Sequence, residues 1–138
     1  MKKPERKPRK RPASPRLSTE LTLGIAAALE KKAADVLVLD LRKASAFTDF
    51  FVICTGQNVR QVHAIADAVQ EALGKRGVKP AIVEGKGRAE WVLIDYFDFI
   101  FHIFTPATRE FYGLERLWET DASSAAPKKR AARAKKVQ

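Results

Sequence analysis

The strongest constraint on how this chain can fold is where its charge sits. Residues 1–16 hold eight Lys or Arg and one acid, Glu5, while residues 122–138 hold six bases and no acid. Of the 26 basic and 16 acidic residues in the chain, twelve bases and fifteen acids remain for residues 17–121. The formal charge of +10 therefore resides in the two ends, around a middle of −3. The ends are Pro/Lys/Arg-rich and Ala/Lys/Arg-rich, with too few large apolar groups to build a core, and are expected to be disordered tails. Residues 17–121 are left to fold, which is enough chain for one domain.

A mildly acidic body between two cationic arms points to two kinds of contact: arms on a phosphate backbone and body on a basic protein surface. One cysteine, Cys54, excludes an internal disulfide framework and fits a reducing compartment. No apolar run approaches the ~18 residues of a membrane span, and no apolar segment near the N-terminus resembles a signal peptide. Pro4, Pro8, Pro12 and Pro15 oppose the amphipathic helix of a transit peptide. A cytoplasmic protein is expected.

Periodicity supplies the elements. Ser18 is a candidate N-cap, Glu20 complements the helix dipole, and Leu21, Ile25 and Leu29 recur on one face, predicting a helix to about Ala34. Val36–Leu41 and Phe50–Thr55 are short apolar, β-branched and aromatic runs of the kind buried on both faces of a sheet. Asn58 caps a second predicted helix, in which Val59, Val62, Ala66, Val69 and Leu73 repeat at helical spacing and which stops at Gly77. Ala81–Glu84 reads as a brief strand, Gly85–Glu90 as a flexible polar loop, and Trp91–Tyr96 with Phe99–Phe104 as a hairpin. Thr105 followed by Pro106 starts a last helix. The order α-β-β-α-β-β-β-α implies an α/β domain with a mixed sheet rather than the regular βαβ units of a doubly wound fold.

Catalytic chemistry is hard to build from these residues. Cys54 lies inside an apolar run and reads as a core residue; His63 and His102 have no metal-ligand spacing to another His, Cys or carboxylate. Gly85-Lys86-Gly87-Arg88 lacks the phosphate loop's second glycine followed by lysine and opens no helix. Asp95 and Asp98, three apart, do not share a strand face unless a turn intervenes. No catalytic residue, metal or cofactor is expected, and the chain is expected not to be an enzyme. Trp91, an aromatic at a strand start beside a charged loop, reads equally as an interface anchor or an edge-of-core residue.

Asp49 to Ile53, Arg60 to Asp67, Val83-Glu84-Gly85, Trp91 to Tyr96, His102, and Thr105-Pro106 through Arg109-Glu110-Phe111-Tyr112 to Leu114-Glu115-Arg116-Leu117-Trp118 together resemble the ribosomal silencing factors, over roughly residues 18–119. The resemblance implies a single α/β domain with a mixed sheet of about five strands, flanking helices and a nucleotidyltransferase-like sheet. It also implies a homodimer when free, which binds the large ribosomal subunit through ribosomal protein uL14, blocks joining of the small subunit and represses translation. A large-subunit assembly factor and a nucleotidyltransferase-like enzyme are the alternatives. The family usually has glycine where Phe97 stands, which puts a tight two-residue turn in doubt and admits a longer or distorted hairpin.

The expected partner-binding residues are Glu84, Trp91, Leu93, Asp95, Tyr96 and Asp98. The strand period of two sets Trp91, Leu93 and Asp95 on one side and Val92, Ile94 and Tyr96 on the other. Contacts to ribosomal RNA are expected from the tails, at Lys10, Arg11, Lys128, Lys129 and Arg130.

Overall fold

The computed structural model describes residues 18–44, 46 and 48–117. The tail residues Lys10, Arg11, Lys128, Lys129 and Arg130 lie outside the described residues. Among the described residues the elements follow the predicted order: α1 (Thr19–Glu30), β1 (Ala34–Asp40), β2 (Phe50–Thr55), α2 (Val59–Gly74), β3 (Ile82–Glu84), β4 (Trp91–Asp95), β5 (Phe99–Phe104) and α3 (Pro106–Tyr112), with a further helical turn at 114–117. Two of the three expected caps close a side-chain bond: Ser18 Oγ accepts from the Leu21 amide at 3.1 Å and Asn58 Oδ1 from the Gln61 amide at 2.9 Å, whereas Thr105 stands at the N-cap of α3 without one, its hydroxyl lying 2.8 Å from that of Thr108. Helix α1 ends four residues before the expected Ala34, because Lys32 turns left-handed (φ 65°) and the Ala33 amide closes back on the Ala28 carbonyl at 3.1 Å.

The strands form one mixed sheet in the order β1-β2-β5-β4-β3, with β2 and β5 parallel and every other pair antiparallel. All six residues of β2 and all six of β5 are buried, which is why both strands are apolar runs broken only by Thr55 and His102. One face packs on α1 and α2: Val52, Cys54, Val92, Ile94, Phe101 and Ile103 meet Leu21, Ala28, Val62, Ile65, Val69 and Leu73. Gly24 permits the close approach of α1, since a Cβ there would stand 2.7 Å from the Phe101 ring. The opposite face carries a smaller cluster of Leu37, Leu39, Leu41, Phe51, Ile53, Ile100 and Phe104, joined by Ala46 of the β1–β2 connection and by Leu114 beyond α3.

The β4–β5 hairpin closes in two residues even without glycine. The Tyr96 amide bonds the Phe99 carbonyl at 2.9 Å, and Phe97 adopts φ 77°. Its amide is held by Asp95 Oδ1 at 2.8 Å and its carbonyl by the Thr48 hydroxyl at 2.7 Å. A left-handed conformation costs a non-glycine residue ~1–2 kcal/mol, and the Phe97 ring, 64 % exposed, recovers little by burial. Phe97→Gly should therefore raise unfolding free energy by roughly 0.5–1 kcal/mol in urea titrations, after allowing for the greater freedom of an unfolded glycine. A loss of stability instead would mean that the exposed ring packs on part of the chain.

Candidate docking face

Strand β4 decides which side chains are available to a partner. Val92 and Ile94 are fully buried against the helices, whereas Trp91, Leu93 and Asp95 are half-buried on the opposite face. Pairing extends the row across the sheet: Glu84 of β3 lies opposite Leu93, Leu93 opposite His102, and Trp91 opposite Phe104. Glu84, Trp91, Leu93 and Asp95 thus share the face turned away from α1 and α2, the first of them exposed at the short edge strand. Asp98 joins them only at the turn, where it is exposed and its carbonyl receives the Asp49 and Phe50 amides at 3.1 and 3.2 Å.

Tyr96 does not belong with this group. It is 6 % exposed within the helix-side core, its ring 5.2 Å from that of Phe99, and burial pushes its phenol up to about 12. Strand alternation already put it beside Val92 and Ile94, and it lies on the opposite side of the sheet from the other residues expected to bind a partner.

Trp91 is both rim and core. Its indole Nε1 donates to His102 Nδ1 at 3.1 Å, and its ring packs on Phe104 at 4.9 Å and Tyr112 at 4.8 Å. Because Nδ1 accepts, the His102 proton resides on Nε2, which has no hydrogen-bond partner among the described residues. His102 is 3 % exposed, and desolvation of the imidazolium lowers its pKa to about 4. A neutral, indole-bonded imidazole at the centre of this face orients the tryptophan above it.

The other chemistry-bearing residues are structural in their placement. Cys54 is fully buried, and burial raises its thiol to about 12. Among the described residues no group of three or more His, Cys, Asp or Glu is placed to hold a metal. The Gly85–Glu90 loop, expected to be flexible, is tied down: the Lys86 carbonyl lies 2.8 Å from His63 Nε2, and Lys86 Nζ pairs with Asp67 at 2.7 Å. Gly85 (φ 87°) leaves no room for a Cβ beside the Trp91 carbonyl, and Ala89, fully buried at φ 54°, bonds back to the Gly85 carbonyl at 2.8 Å. The loop therefore braces the start of β4.

Residues 14–138 match the family model described as Ribosomal silencing factor during starvation. The chain belongs to this family. It is 38% identical over 98 residues to the ribosomal silencing factor of Bacillus subtilis, an alignment covering 71% of this chain and 83% of that one. A more distant relative, the mouse protein named Mitochondrial assembly of ribosomal large subunit protein 1, is 32% identical over 92 residues, covering 64% of this chain and 40% of that protein. Among solved structures, a Chromobacterium violaceum protein superposes with a TM-score of 0.70 at 36% identity, covering 72% of this chain and 82% of its own.

Sequence reasoning missed two sets of contacts that shape this part of the silencing-factor domain. One is the indole–imidazole bond. The other is Arg109 of α3, whose Nη1 donates to the Asp35 carbonyl at 2.9 Å and the Thr55 hydroxyl at 2.8 Å while Nε pairs with Glu115 at 3.1 Å. Asp35 sits at φ 45° in a bulge of β1, so an irregularity of the edge strand supplies the carbonyl that anchors α3. The arginine lies within the stretch that resembles the family, but neither its reach to β1 and β2 nor the bulge has a periodic signature.

Proposed function

We propose that this protein binds the large ribosomal subunit through ribosomal protein uL14, blocks joining of the small subunit and so represses translation, acting as a binding protein rather than an enzyme. The observation that carries the reading is the shared face of Glu84, Trp91, Leu93 and Asp95: an aromatic and aliphatic centre rimmed by carboxylates, suited to a basic ribosomal protein. Family membership supports it, and Asp98 extends the acidic rim. The basic tails, with Lys10, Arg11, Lys128, Lys129 and Arg130, add salt-dependent contacts to neighbouring ribosomal RNA. In this reading the free protein is a cytoplasmic homodimer. The name of the mouse relative favours a second role, in large-subunit assembly.

Sedimentation with purified large subunits, small subunits and naked DNA at physiological salt tests the reading. Co-sedimentation with large subunits alone is expected. Glu84→Lys should weaken it about tenfold, the size of effect of reversing one well-placed interface charge, while leaving circular dichroism unchanged because the residue is exposed. Equal, salt-labile association with all three would make this a tail-driven nucleic-acid binder.

A further inference from the structure

Between the Gly85–Glu90 loop, the start of β4 and α3 lies a cleft of about 600 Å³, lined by Arg88, Glu90, Trp91, Thr108, Tyr112 and two glycines. Thr108 and Tyr112 stand one helical turn apart and so face the loop together. The opposite wall is preformed, since Lys86 is bound to Asp67 and Ala89 is buried beneath it. Tyr112 packs against Trp91 and meets Phe111 edge-to-face, yet remains 54 % exposed and lines the cleft. Glu90 pairs with Arg88 at a loose 3.5 Å; the Arg88 side chain is 83 % and the Glu90 side chain 50 % exposed.

We propose that this cleft receives a single arginine side chain from a basic protein, with the guanidinium lying on the Tyr112 ring and pairing with the Glu90 carboxylate. A planar, weakly hydrated cation stacks on an aromatic face and engages a carboxylate in two parallel hydrogen bonds, and an exposed tyrosine beside an exposed carboxylate supplies both. The cleft's own charges, Arg88 and Glu90, balance, so the preference for a cation over a nucleotide comes from what adjoins it. The cleft shares Trp91 with the acidic docking face and begins one residue after Glu84, Lys86 is already occupied by Asp67, and Arg88 is free to swing outward as the incoming cation replaces it at Glu90. The inference rests on the docking reading above only for the identity of the basic protein as a ribosomal one.

Nuclear magnetic resonance of the full chain, titrated with N-acetyl-arginine methylamide, its neutral citrulline analogue and oligouridylate, tests the cleft without the ribosome. Saturable shifts of the Trp91 indole and Ala89 amide signals are expected with the arginine compound alone, and should vanish in Tyr112→Ala and Glu90→Gln. Arg88→Ala should tighten arginine binding roughly twofold by removing the competing cation; a nucleic-acid site would instead be weakened by it. Absence of arginine-specific shifts, or shifts with oligouridylate that Arg88→Ala diminishes, would overturn the proposal. In subunit sedimentation Tyr112→Ala should lower affinity about tenfold, and unchanged affinity would also sink it. If wild type shows no subunit association yet binds the arginine compound, the docking reading fails and the cleft stands; the reverse pattern removes the cleft alone.

Discussion

Trp91→Ala should lower unfolding free energy by about 3 kcal/mol, the lower end of the range for a buried aromatic truncated to alanine, because the residue is half-buried. The loss combines ring packing on Phe104 and Tyr112 with an acceptor, His102 Nδ1, left without its donor. Domains of this size hold ~5–15 kcal/mol, so the variant should still fold. Trp91→Phe separates the terms: it keeps most of the packing, loses the hydrogen bond and should cost only about 1 kcal/mol. Urea titrations of the two variants, run alongside large-subunit sedimentation, measure both consequences. A cost below 1 kcal/mol for the alanine variant would show that Trp91 contributes nothing to the smaller core.

His102 should make the fold acid-sensitive. Its pKa is about 4 in the folded protein against 6.5 for the free side chain, so between those values the unfolded chain takes up a proton that the native state refuses. Stability contributed by the neutral imidazole is complete above pH 6.5, declines as pH falls and is gone near pH 4, a loss of about 3 kcal/mol across the window. Below the lower value no further change comes from this group. His102→Asn retains an acceptor near the indole and removes the titration. The difference in unfolding free energy between wild type and His102→Asn should shrink by about 3 kcal/mol from pH 7 to pH 4, which cancels the carboxylates common to both. A pH-independent difference would mean that water reaches the imidazole.

What the sequence disclosed was local. The largely apolar runs of β2 and β5 and the alternation of β4 follow from the faces these strands bury, and the caps at Ser18 and Asn58 from short-range hydrogen bonding. Information failed where a residue's conformation is imposed from elsewhere. Lys32 and Phe97 turn left-handed although neither side chain favours it, and Phe97 is held by Asp95 and by Thr48, a residue far away in the chain. The choice between anchor and core for Trp91 had no single answer, because the register that sets it beside Phe104 and within reach of His102 is a tertiary fact. Of the residues expected to dock a partner, four share one face with Asp98 at its end, while Tyr96 lies on the other side.

The central parallel pair also orders events during synthesis. β2 emerges early and gains β1 across a short connection, but its other neighbour, β5, is the last of the five described strands to be made. Until Phe104 has left the ribosome, β2 presents an unpaired edge in which only Thr55 is polar, and neither core can close. A nascent chain that already contains α1, β1, β2 and α2 must therefore wait, unable to complete its sheet and prone to pairing with a neighbour, for a strand encoded close to the end of its folded region.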